Sequence, residues 1–557
     1  MHSFLSLGFA SFAFLFLGCG GGGGSSSENN QTQTPIDTST PTTLEDRAFT
    51  STHFSGSDNC AVCHNGITDA QGRDVSIESA WSATMMANST KDPFWKAKVA
   101  SEIQRNPHLE EVINDKCTKC HAPMAHKEAH FMQETIKIFD DGFLNAQNPH
   151  YDEAMNGVSC TLCHQIENTQ TLGELASFSG NYSIGSQRII YGQYNNIAAS
   201  PMQEQVNYTP QQSTHISESK MCATCHNLKT PYVDADGVVL TDTAQSEFPE
   251  QMPYTEWEHS SYASTQSCQD CHMKRTDGVV ISNRPPWVSQ QRDNFAEHTF
   301  VGGNKLMLDI LNKNKESLGV VDADFETSLI NSTQLLESAA TISLENSNFS
   351  EGALYIDLKI TSTTGHKLPT SFPSRRAFVH FKLYDANNNL IFESGKVHDN
   401  GSIVGANSDI DINSYEPHYT TISSEDQVQI YEAVMQNSDE EITYTLLRAA
   451  SYKKDNRILP LGFEKESASS DIAVRGDAKD DTNFVGGSDT IRYAITNLQQ
   501  QNFRIEVELL YQTLAYPFAQ DLFSDTNEHS ENFKAMFEVS NLKTSTIATL
   551  NQTISLQ

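Results

Sequence analysis

The sequence contains the stretch Gly157-Val-Ser-Cys160-Thr-Leu-Cys163-His164, in which two residues separate a pair of cysteines and a histidine follows the second. The same C-x-x-C-H pattern occurs five times and uses all but one of the 11 cysteines. The other copies are Cys60-Ala-Val-Cys63-His64, Cys117-Thr-Lys-Cys120-His121, Cys222-Ala-Thr-Cys225-His226 and Cys268-Gln-Asp-Cys271-His272. Chance does not produce five copies with almost no cysteine left over, so this pattern decides the class of protein.

C-x-x-C-H is the attachment signature of c-type haem. The two thiols form thioethers with the haem vinyl groups, and the adjacent histidine is held against the iron as its proximal ligand. We therefore predict five covalently bound haems, with proximal ligands His64, His121, His164, His226 and His272. Zinc ribbons and disulfides explain the pattern less well, because neither needs a histidine after every second cysteine.

Composition excludes several other classes. The chain has 557 residues, enough for more than one domain, and a formal net charge of −33 from 37 basic and 70 acidic side chains. An acidic surface of this size argues against a nucleic-acid partner. The mean hydropathy is −0.46, and the main apolar run is short and lies at the N-terminus, so we do not expect a polytopic membrane protein.

The eleventh cysteine ends the apolar stretch Phe14-Leu-Phe-Leu-Gly-Cys19. This stretch resembles a bacterial lipoprotein signal, which predicts a signal peptide over residues 1–18, lipidation of Cys19 and a flexible, lipid-anchored linker over residues 19–54. An ordinary cleaved signal peptide is the alternative, and both predict export. Gly20 rather than Asp follows the cysteine, which in lipoproteins favours the outer membrane, so we expect the protein to face the periplasm or the cell surface.

The five motifs divide the chain into two differently patterned regions. We predict a pentahaem domain over residues 55–303, with short helices and long loops, because the motifs are too close together for separate domains. Asp92-Pro93 predicts a helix that runs to Arg105, and Pro107 predicts another that runs into Cys117. Connecting helices are expected over residues 304–340.

From residue 341 the apolar residues alternate with polar ones, as in strands that are buried on one face. The alternating runs are residues 354–360, 379–383, 442–446 and 503–509. We therefore predict an antiparallel β-sandwich over residues 341–557, and an α+β multidomain protein overall, whose N-terminal domain is mostly helix and loop.

The chain resembles the multihaem c-type cytochromes, in particular the tetrahaem cytochrome of nitrifying bacteria and its larger relatives. The five motifs carry the resemblance, with flanking strings such as Cys268-Gln-Asp-Cys-His-Met273 and, more weakly, Gly365-His-Lys-Leu-Pro369. It implies haem as the cofactor. It does not separate electron carriers from reductases, because both share these motifs.

Each iron also needs a distal ligand, or it is open for chemistry. The candidates are His126, His130, His150, His215, His259, His298, His366 and Met86. His380 is rejected because it should face away from Val379 and Phe381 on its strand.

A short repeat, W-x-x-[ST]-x-x-A, occurs at Trp81 and at Trp257. In similar cytochromes a histidine often precedes the final alanine, whereas here Met86 and Tyr262 do, and Met86 is either a ligand or core filler. We therefore expect the haem at Cys268 to be the exception to six-coordination, unless His259 reaches the iron.

Electron transfer between redox protein partners is the leading functional hypothesis, with a lipid anchor to the membrane and the sandwich as a docking or spacing module. The alternative is a reductase of small nitrogen or sulfur compounds at one open haem, and an enzyme is the less favoured reading. A polymerising subunit is a third hypothesis, against which lipidation argues. Asp477, Asp480 and Asp481 could bind Ca²⁺, but their spacing fits no EF-hand and a solvated turn is favoured.

The first prediction concerns haem number. Protein matured with the c-type assembly machinery should exceed the mass of the processed polypeptide by five haems in intact mass spectrometry. Replacing Cys160 and Cys163 by Ala should remove one haem and destabilise the region, because the haems share one interior. A fully matured sample that carries four or fewer haems would contradict the prediction.

Overall fold

The computed structural model describes residues 44–241, 243 and 246–556, which belong to one structural unit. Helices and loops dominate up to about residue 339, and strands dominate afterwards. This order agrees with the predicted α+β class. The predicted signal peptide, Cys19 and most of the predicted linker lie outside the described residues. No helix of the described part is long and apolar enough to span a membrane.

The helices of the first half are short, and four of them end on the histidine of a C-x-x-C-H motif. They are α1 (Ser57–His64), α2 (Ile77–Ser82), α3 (Pro93–Arg105), α4 (Glu110–His121), α5 (Pro123–Met132), α6 (Tyr151–Met155), α7 (Cys160–Cys163), α8 (Ala199–Val206), α9 (Ser219–His226), α10 (Pro253–Glu258), α11 (Cys268–His272), α12 (Lys305–Lys313), α13 (Lys315–Leu318) and α14 (Phe325–Glu337). A motif at the end of a helix presents its cysteines and histidine on one side of the last turn.

Local sequence explains the longest of these helices. The Asp92 carboxylate accepts a hydrogen bond from the Phe94 amide (2.9 Å), and Pro93 occupies the first helical position, so the predicted start of α3 is confirmed. A single 3₁₀ turn, Pro107–Leu109, precedes α4, so the helix predicted from Pro107 into Cys117 is also confirmed.

Short strand pairs close the loops of the first half. They are β1 (Ile189–Gly192) with β2 (Thr209–Gln212), β3 (Leu228–Thr230) with β4 (Phe248–Gln251), β5 (Arg275–Thr276) with β8 (Phe295–Ala296), and β6 (Val279–Val280) with β7 (Gln291–Arg292). The helices α12, α13 and α14 lie within residues 304–340, where the sequence predicted helices.

The second half contains two larger sheets. Its strands are β9 (Ala340–Ser350), β10 (Ala353–Ser362), β11 (Arg376–Tyr384), β12 (Leu390–Ser394), β13 (Thr421–Ile422), β14 (Ile430–Gln436), β15 (Ser451–Asp455), β16 (Ser488–Ile495), β17 (Phe503–Gln512) and β18 (Ser545–Ile554). One sheet has the order β13-β16-β10-β9 and the other β15-β14-β11-β17-β18, with β12 paired to β11. All these pairs are antiparallel except β13 with β16. Three helices, α15 (Asn407–Ile410), α16 (Tyr516–Leu522) and α17 (Glu528–Val539), lie between strands.

The two sheets share one hydrophobic core. Alternate residues of β10, such as Ile356 and Leu358, are buried in it, as the period-two pattern predicts. The rings of Phe381 on β11 and Tyr493 on β16 stack at 3.9 Å and join the sheets. The strand predicted over residues 442–446 was wrong: only a bridge at Ile442 forms, and a 3₁₀ turn begins at Leu446.

That segment is not a strand because it contacts the first half of the chain. The Glu102 carboxylate of α3 accepts hydrogen bonds from the Leu446 and Leu447 amides, at 2.6 Å and 3.4 Å. The side chain of Arg105 pairs with Asp521 at 2.9 Å. Tertiary contacts with α3 thus outweigh the local preference of the alternating sequence.

An aromatic cluster between the two halves yields a stability prediction. Phe518 of α16 is buried, and its ring packs against Phe94 of α3 at 6.2 Å. Phe518→Ala should lower the free energy of unfolding by about 3–5 kcal/mol, through lost transfer energy and a residual cavity. Ile410→Ala is the control: Ile410 is 76% exposed, and the change should cost less than about 0.5 kcal/mol. Urea unfolding followed by circular dichroism tests this, and equal effects of the two variants would contradict it.

Candidate haem-binding cavity

One cavity of about 1060 Å³ reaches cysteines and the histidine of every C-x-x-C-H motif. Its walls are mainly apolar and aromatic, and they also include His298, His366 and Met86. Pockets for one small ligand usually measure about 300–1,000 Å³, so the volume of this cavity lies just above that range. The motif cysteines are all free thiols rather than disulfides. Free thiols beside a histidine in a large apolar cavity are what covalent haem attachment requires.

The motif histidines are oriented by backbone carbonyls. The Nδ1 atoms of His64, His164 and His272 each lie 2.6 Å from a carbonyl oxygen, and that of His121 lies 3.2 Å from one. A proton fixed on Nδ1 leaves the Nε2 lone pair free to bind a metal. Among the described residues, His226 makes no such bond.

His298 and His366 face two of these histidines. The His298 ring lies 6.2 Å from that of His164, with 19° between the planes, and the His366 ring lies 6.2 Å from that of His272, with 17° between the planes. Two imidazoles that share one metal need a separation on the order of 6 Å, from two bonds of about 2 Å plus the ring widths. We interpret the two pairs as proximal and distal ligands.

The two facing histidines share the orientation of the motif histidines. Their Nδ1 atoms lie 3.0 Å from the Ala296 carbonyl, for His298, and 2.9 Å from the Lys367 carbonyl, for His366. Burial lowers the pKa of His298 to about 3, so this ring is neutral, as a ligand must be. Both candidates from the sequence therefore have a free Nε2.

Three other candidates have Nε2 engaged by protein groups and do not line the cavity. The Nε2 atom of His126 lies 2.9 Å from the Asp115 carboxylate. This hydrogen bond holds the pKa of the Asp115 carboxyl well below its usual range. The Nε2 atom of His150 lies 2.8 Å from the Glu134 carboxylate, and that of His215 lies 2.8 Å from a backbone carbonyl. None of these three residues presents a free Nε2 to the cavity.

His130 and His259 are exposed and lie outside the cavity walls. His259 directs Nδ1 to the Thr255 carbonyl at 2.9 Å, and Tyr262 donates its hydroxyl to the Thr363 carbonyl at 3.2 Å. The structure therefore places His366, rather than His259, opposite the histidine of the fifth motif. The sequence signal for this ligand was the Gly365-His-Lys-Leu-Pro369 string.

The Trp81 copy of the repeat packs on the third motif. The Trp81 indole donates to the Val158 carbonyl (2.9 Å), and the Val158 amide donates to the Met86 carbonyl (2.9 Å). Val158 lies two residues before Cys160. The repeat thus places Met86 beside an attachment site, where its side chain lines the cavity.

The Trp257 copy repeats the same contacts at the fifth motif. The Trp257 indole donates to the Gln266 carbonyl (2.9 Å), and the Gln266 amide donates to the Tyr262 carbonyl (2.9 Å). Gln266 lies two residues before Cys268. The repeat is therefore a structural unit that supports two attachment sites, and Met86 and Tyr262 are equivalent positions in it.

Thiols of neighbouring motifs meet inside the protein. The contacting or electrostatically interacting pairs are Cys60 with Cys160, Cys163 with Cys225, Cys120 with Cys225, and Cys222 with Cys268. Numbered along the chain, the first motif therefore borders the third, and the fourth borders the second, third and fifth. The five attachment sites form a branched network with the fourth at the junction.

Arg375 is a positively charged residue in the cavity wall. Within the described residues, its hydrogen-bond partners are neutral oxygen atoms rather than carboxylates. Its guanidinium donates to the Thr370 carbonyl (2.8 Å) and to the Asn304 side chain (3.1 Å). It lies close enough to His226 and His366 to lower the pKa of each, in addition to the larger effect of burial. A guanidinium without a carboxylate partner in this position suits an anionic group, such as a haem propionate.

The three aspartates that we considered as a less favoured calcium site are not all exposed in one turn. Asp477 and Asp480 are exposed, whereas Asp481 is buried and lies 3.1 Å from Nε2 of His418. His418, Asp481 and Asp489 have the spacing of metal ligands.

Two amides decide against a metal on His418. The side-chain amides of Gln429 and Asn456 donate to its Nδ1 at 2.8 Å and 3.1 Å. The Asn456 amide is itself oriented, because it donates to the Ile430 carbonyl and accepts from the Glu432 amide. The proton must therefore be on Nε2, facing Asp481, which closes a hydrogen-bond network and leaves no lone pair for a metal.

Comparison with known proteins finds no matching protein-family model and no matching curated protein. Among solved structures, the chain is similar to the crystal structure of a penta-heme cytochrome c552 from Thermochromatium tepidum. The identity is 15%, the match covers 90% of this chain and 99% of that chain, and the TM-score is 0.49. This score is too low to establish a shared fold, so the haem assignment depends on this chain's own residues.

The two facing histidines give a spectroscopic prediction. His298→Ala and His366→Ala should each convert one of the five haems from low spin to high spin and create one carbon monoxide site per protein, since each removes one distal imidazole. Optical and EPR spectra of the ferric and ferrous holoprotein measure this. His259→Ala is the matched control and should leave the spectra unchanged. Unchanged spectra for His298→Ala or His366→Ala would refute the pairing for that motif.

Proposed function

We propose that this protein is a pentahaem c-type cytochrome that transfers electrons between redox protein partners. The observation that carries the proposal is the single cavity along which five C-x-x-C-H motifs meet, with thiols of neighbouring motifs in contact. Five haem sites in one shared interior suit electron transfer from site to site better than they suit five separate reactions.

The residues that would hold the cofactor are the ten motif cysteines, the five motif histidines, and His298 and His366 as distal ligands of the third and fifth sites. Bound there, c-type haem supplies reversible one-electron chemistry at iron. The protein contributes fixed ligands, an apolar wall that excludes water, and short separations. Met86 is our candidate for a further distal ligand, and a thioether ligand would raise the reduction potential of its site.

The order of sites suggests a route for electrons. They would pass from the first site through the third to the fourth, where the route divides toward the second and the fifth. A junction lets one entry site serve two exits, or two entries serve one exit. The two sheets that share a core are interpreted as a β-sandwich, and because it supplies His366 it is part of the redox centre as well as a candidate docking surface.

Cellular position is also proposed from the sequence. A lipid on Cys19 would hold the protein at the outer membrane, facing the periplasm or the cell surface. The formal charge of −33 favours partners with basic docking surfaces and disfavours nucleic acid. The protein would then transfer electrons between its redox partners while it stays anchored to the membrane.

A reductase of small nitrogen or sulfur compounds is the second candidate, and one observation favours it. Among the described residues no histidine ring stacks opposite His226, and Arg375, which has no carboxylate partner, lies close to that histidine. An open fourth site beside a cation would attract a small anion such as nitrite.

A redox titration separates the two functions. Under the electron-transfer proposal, the holoprotein takes up five electrons reversibly, and nitrite or hydroxylamine does not reoxidise the reduced form faster than a protein-free control. The third and fifth sites should titrate as low-spin haems. Catalytic turnover of either compound, lost in Arg375→Gln and retained in His259→Ala, would favour the reductase instead.

A further inference from the structure

His366, the candidate distal ligand of the fifth site, lies in a loop of the second half. Four buried charged side chains hold this loop in place. The loop covers residues 363–371, between β10 and β11. The side chains are Glu256 on α10, Lys367 in the loop, and Asp455 and Arg457 at and just after the end of β15. Their exposed fractions are 0%, 0%, 1% and 7%.

The three ion pairs form a chain of alternating charge. The Lys367 ammonium lies 2.7 Å from the Asp455 carboxylate, and the Arg457 guanidinium lies 2.7 Å from the same carboxylate. Arg457 also lies 2.8 Å from the Glu256 carboxylate. Two positive and two negative groups therefore neutralise one another, and neutralising any one of them leaves the buried cluster with an uncompensated net charge.

The same cluster contacts the backbone that orients the ligand. The Lys367 amide donates to the Glu256 carboxylate (3.2 Å), and the Lys367 carbonyl lies 2.9 Å from Nδ1 of His366. The Thr370 hydroxyl donates to the same carboxylate. One residue, Lys367, thus connects the charge cluster to the His366 ring through its own peptide groups.

Glu256 connects the cluster to the other side of the fifth site. It lies next to Trp257, whose indole binds the carbonyl two residues before Cys268. The proximal side, through Trp257, and the distal side, through Lys367, are therefore tied to one carboxylate. Within the described part of the chain, no comparable cluster of buried ion pairs contacts the segment of His298, which is oriented by the neighbouring Ala296 carbonyl.

We propose that the cluster of Glu256, Lys367, Asp455 and Arg457 is a positioning device that holds His366 on the iron of the fifth site. With the cluster intact, this site stays six-coordinate and serves electron transfer. With the cluster broken, the loop relaxes, His366 leaves and the site becomes open to small ligands. The proposal rests on the proposed function, because it assumes haem at the fifth motif.

The experiment uses the full-length holoprotein and compares four substitutions by EPR, optical spectra and carbon monoxide binding. Glu256→Gln and Lys367→Met should each add one high-spin haem and one carbon monoxide site to those of the wild type, as His366→Ala does. Lys367→Arg retains the positive charge and should restore low spin. Asp481→Asn is the matched control: it removes a buried carboxylate of the second half that pairs with His418, and it should leave every haem low or high spin as in the wild type.

A milder variant keeps the proposal testable if the charge variants do not mature. Thr370→Val removes only one hydrogen bond to Glu256, and on heating it should lose low-spin signal from one haem at a lower temperature than the wild type, before the protein unfolds. The proposal is overturned if Thr370→Val keeps the wild-type spin transition, or if mature Glu256→Gln and Lys367→Met stay fully low spin at this site.

Failure of the proposed function has a different signature. If wild-type protein lacks haem at the fifth motif by mass, or if His366→Ala leaves the spectra unchanged, the haem assignment itself fails. If His366→Ala opens the site but the cluster variants do not, only the positioning role is wrong.

Discussion

The fixed orientation of the histidine rings along the cavity is the constraint on which the rest of the structure depends. Six of them place Nδ1 against a backbone carbonyl and so leave Nε2 free. Each carbonyl belongs either to a segment remote from its histidine or to a neighbouring loop residue. These hydrogen bonds therefore fix the loops of the first half relative to the histidine rings. Histidines whose Nε2 binds a carboxylate or a carbonyl lie elsewhere. A free Nε2 on a histidine of the cavity wall, rather than position in the sequence, separates candidate ligands from structural histidines, because His259 also binds a carbonyl through Nδ1 but lies outside the cavity.

The two halves of the chain form one functional unit around this cavity. The second half has its own hydrophobic core between two sheets. It also contacts the first half in two places: the His366 loop reaches the fifth motif, and α16 and α17 pack against α3. Three buried charged side chains that hold this loop, Lys367, Asp455 and Arg457, also belong to the second half. A β-rich region that only spaced or docked the haem region would not need a ligand, a charge cluster and an aromatic interface at the same boundary.

The branched contact of the motifs gives the fourth site a special place. It borders three other sites, its histidine has no carbonyl partner among the described residues, and Arg375 lies nearby. These features are compatible with a junction for electrons, and they also make this site the natural location of an open coordination position. The same geometry thus defines both functional candidates, and ligand binding at one iron distinguishes them.

The sequence by itself determined which cofactor and which attachment residues to expect, and it determined the division into a helical and a β-rich half, because a covalent motif and a hydrophobic period are local patterns. It also determined the start of α3, where Asp92 and Pro93 fix the cap. It did not determine which of eight candidates face an iron, since that depends on segments far apart in the chain, as for His164 with His298. The residues 442–446 alternate like a strand, but pairing with β14 stops after Thr443, and the Leu446 amide binds the Glu102 carboxylate of α3 instead. Only the tertiary structure decided that His366 replaces Tyr262 and His259 at the fifth site, because a distal ligand is chosen by what lies opposite the proximal ring.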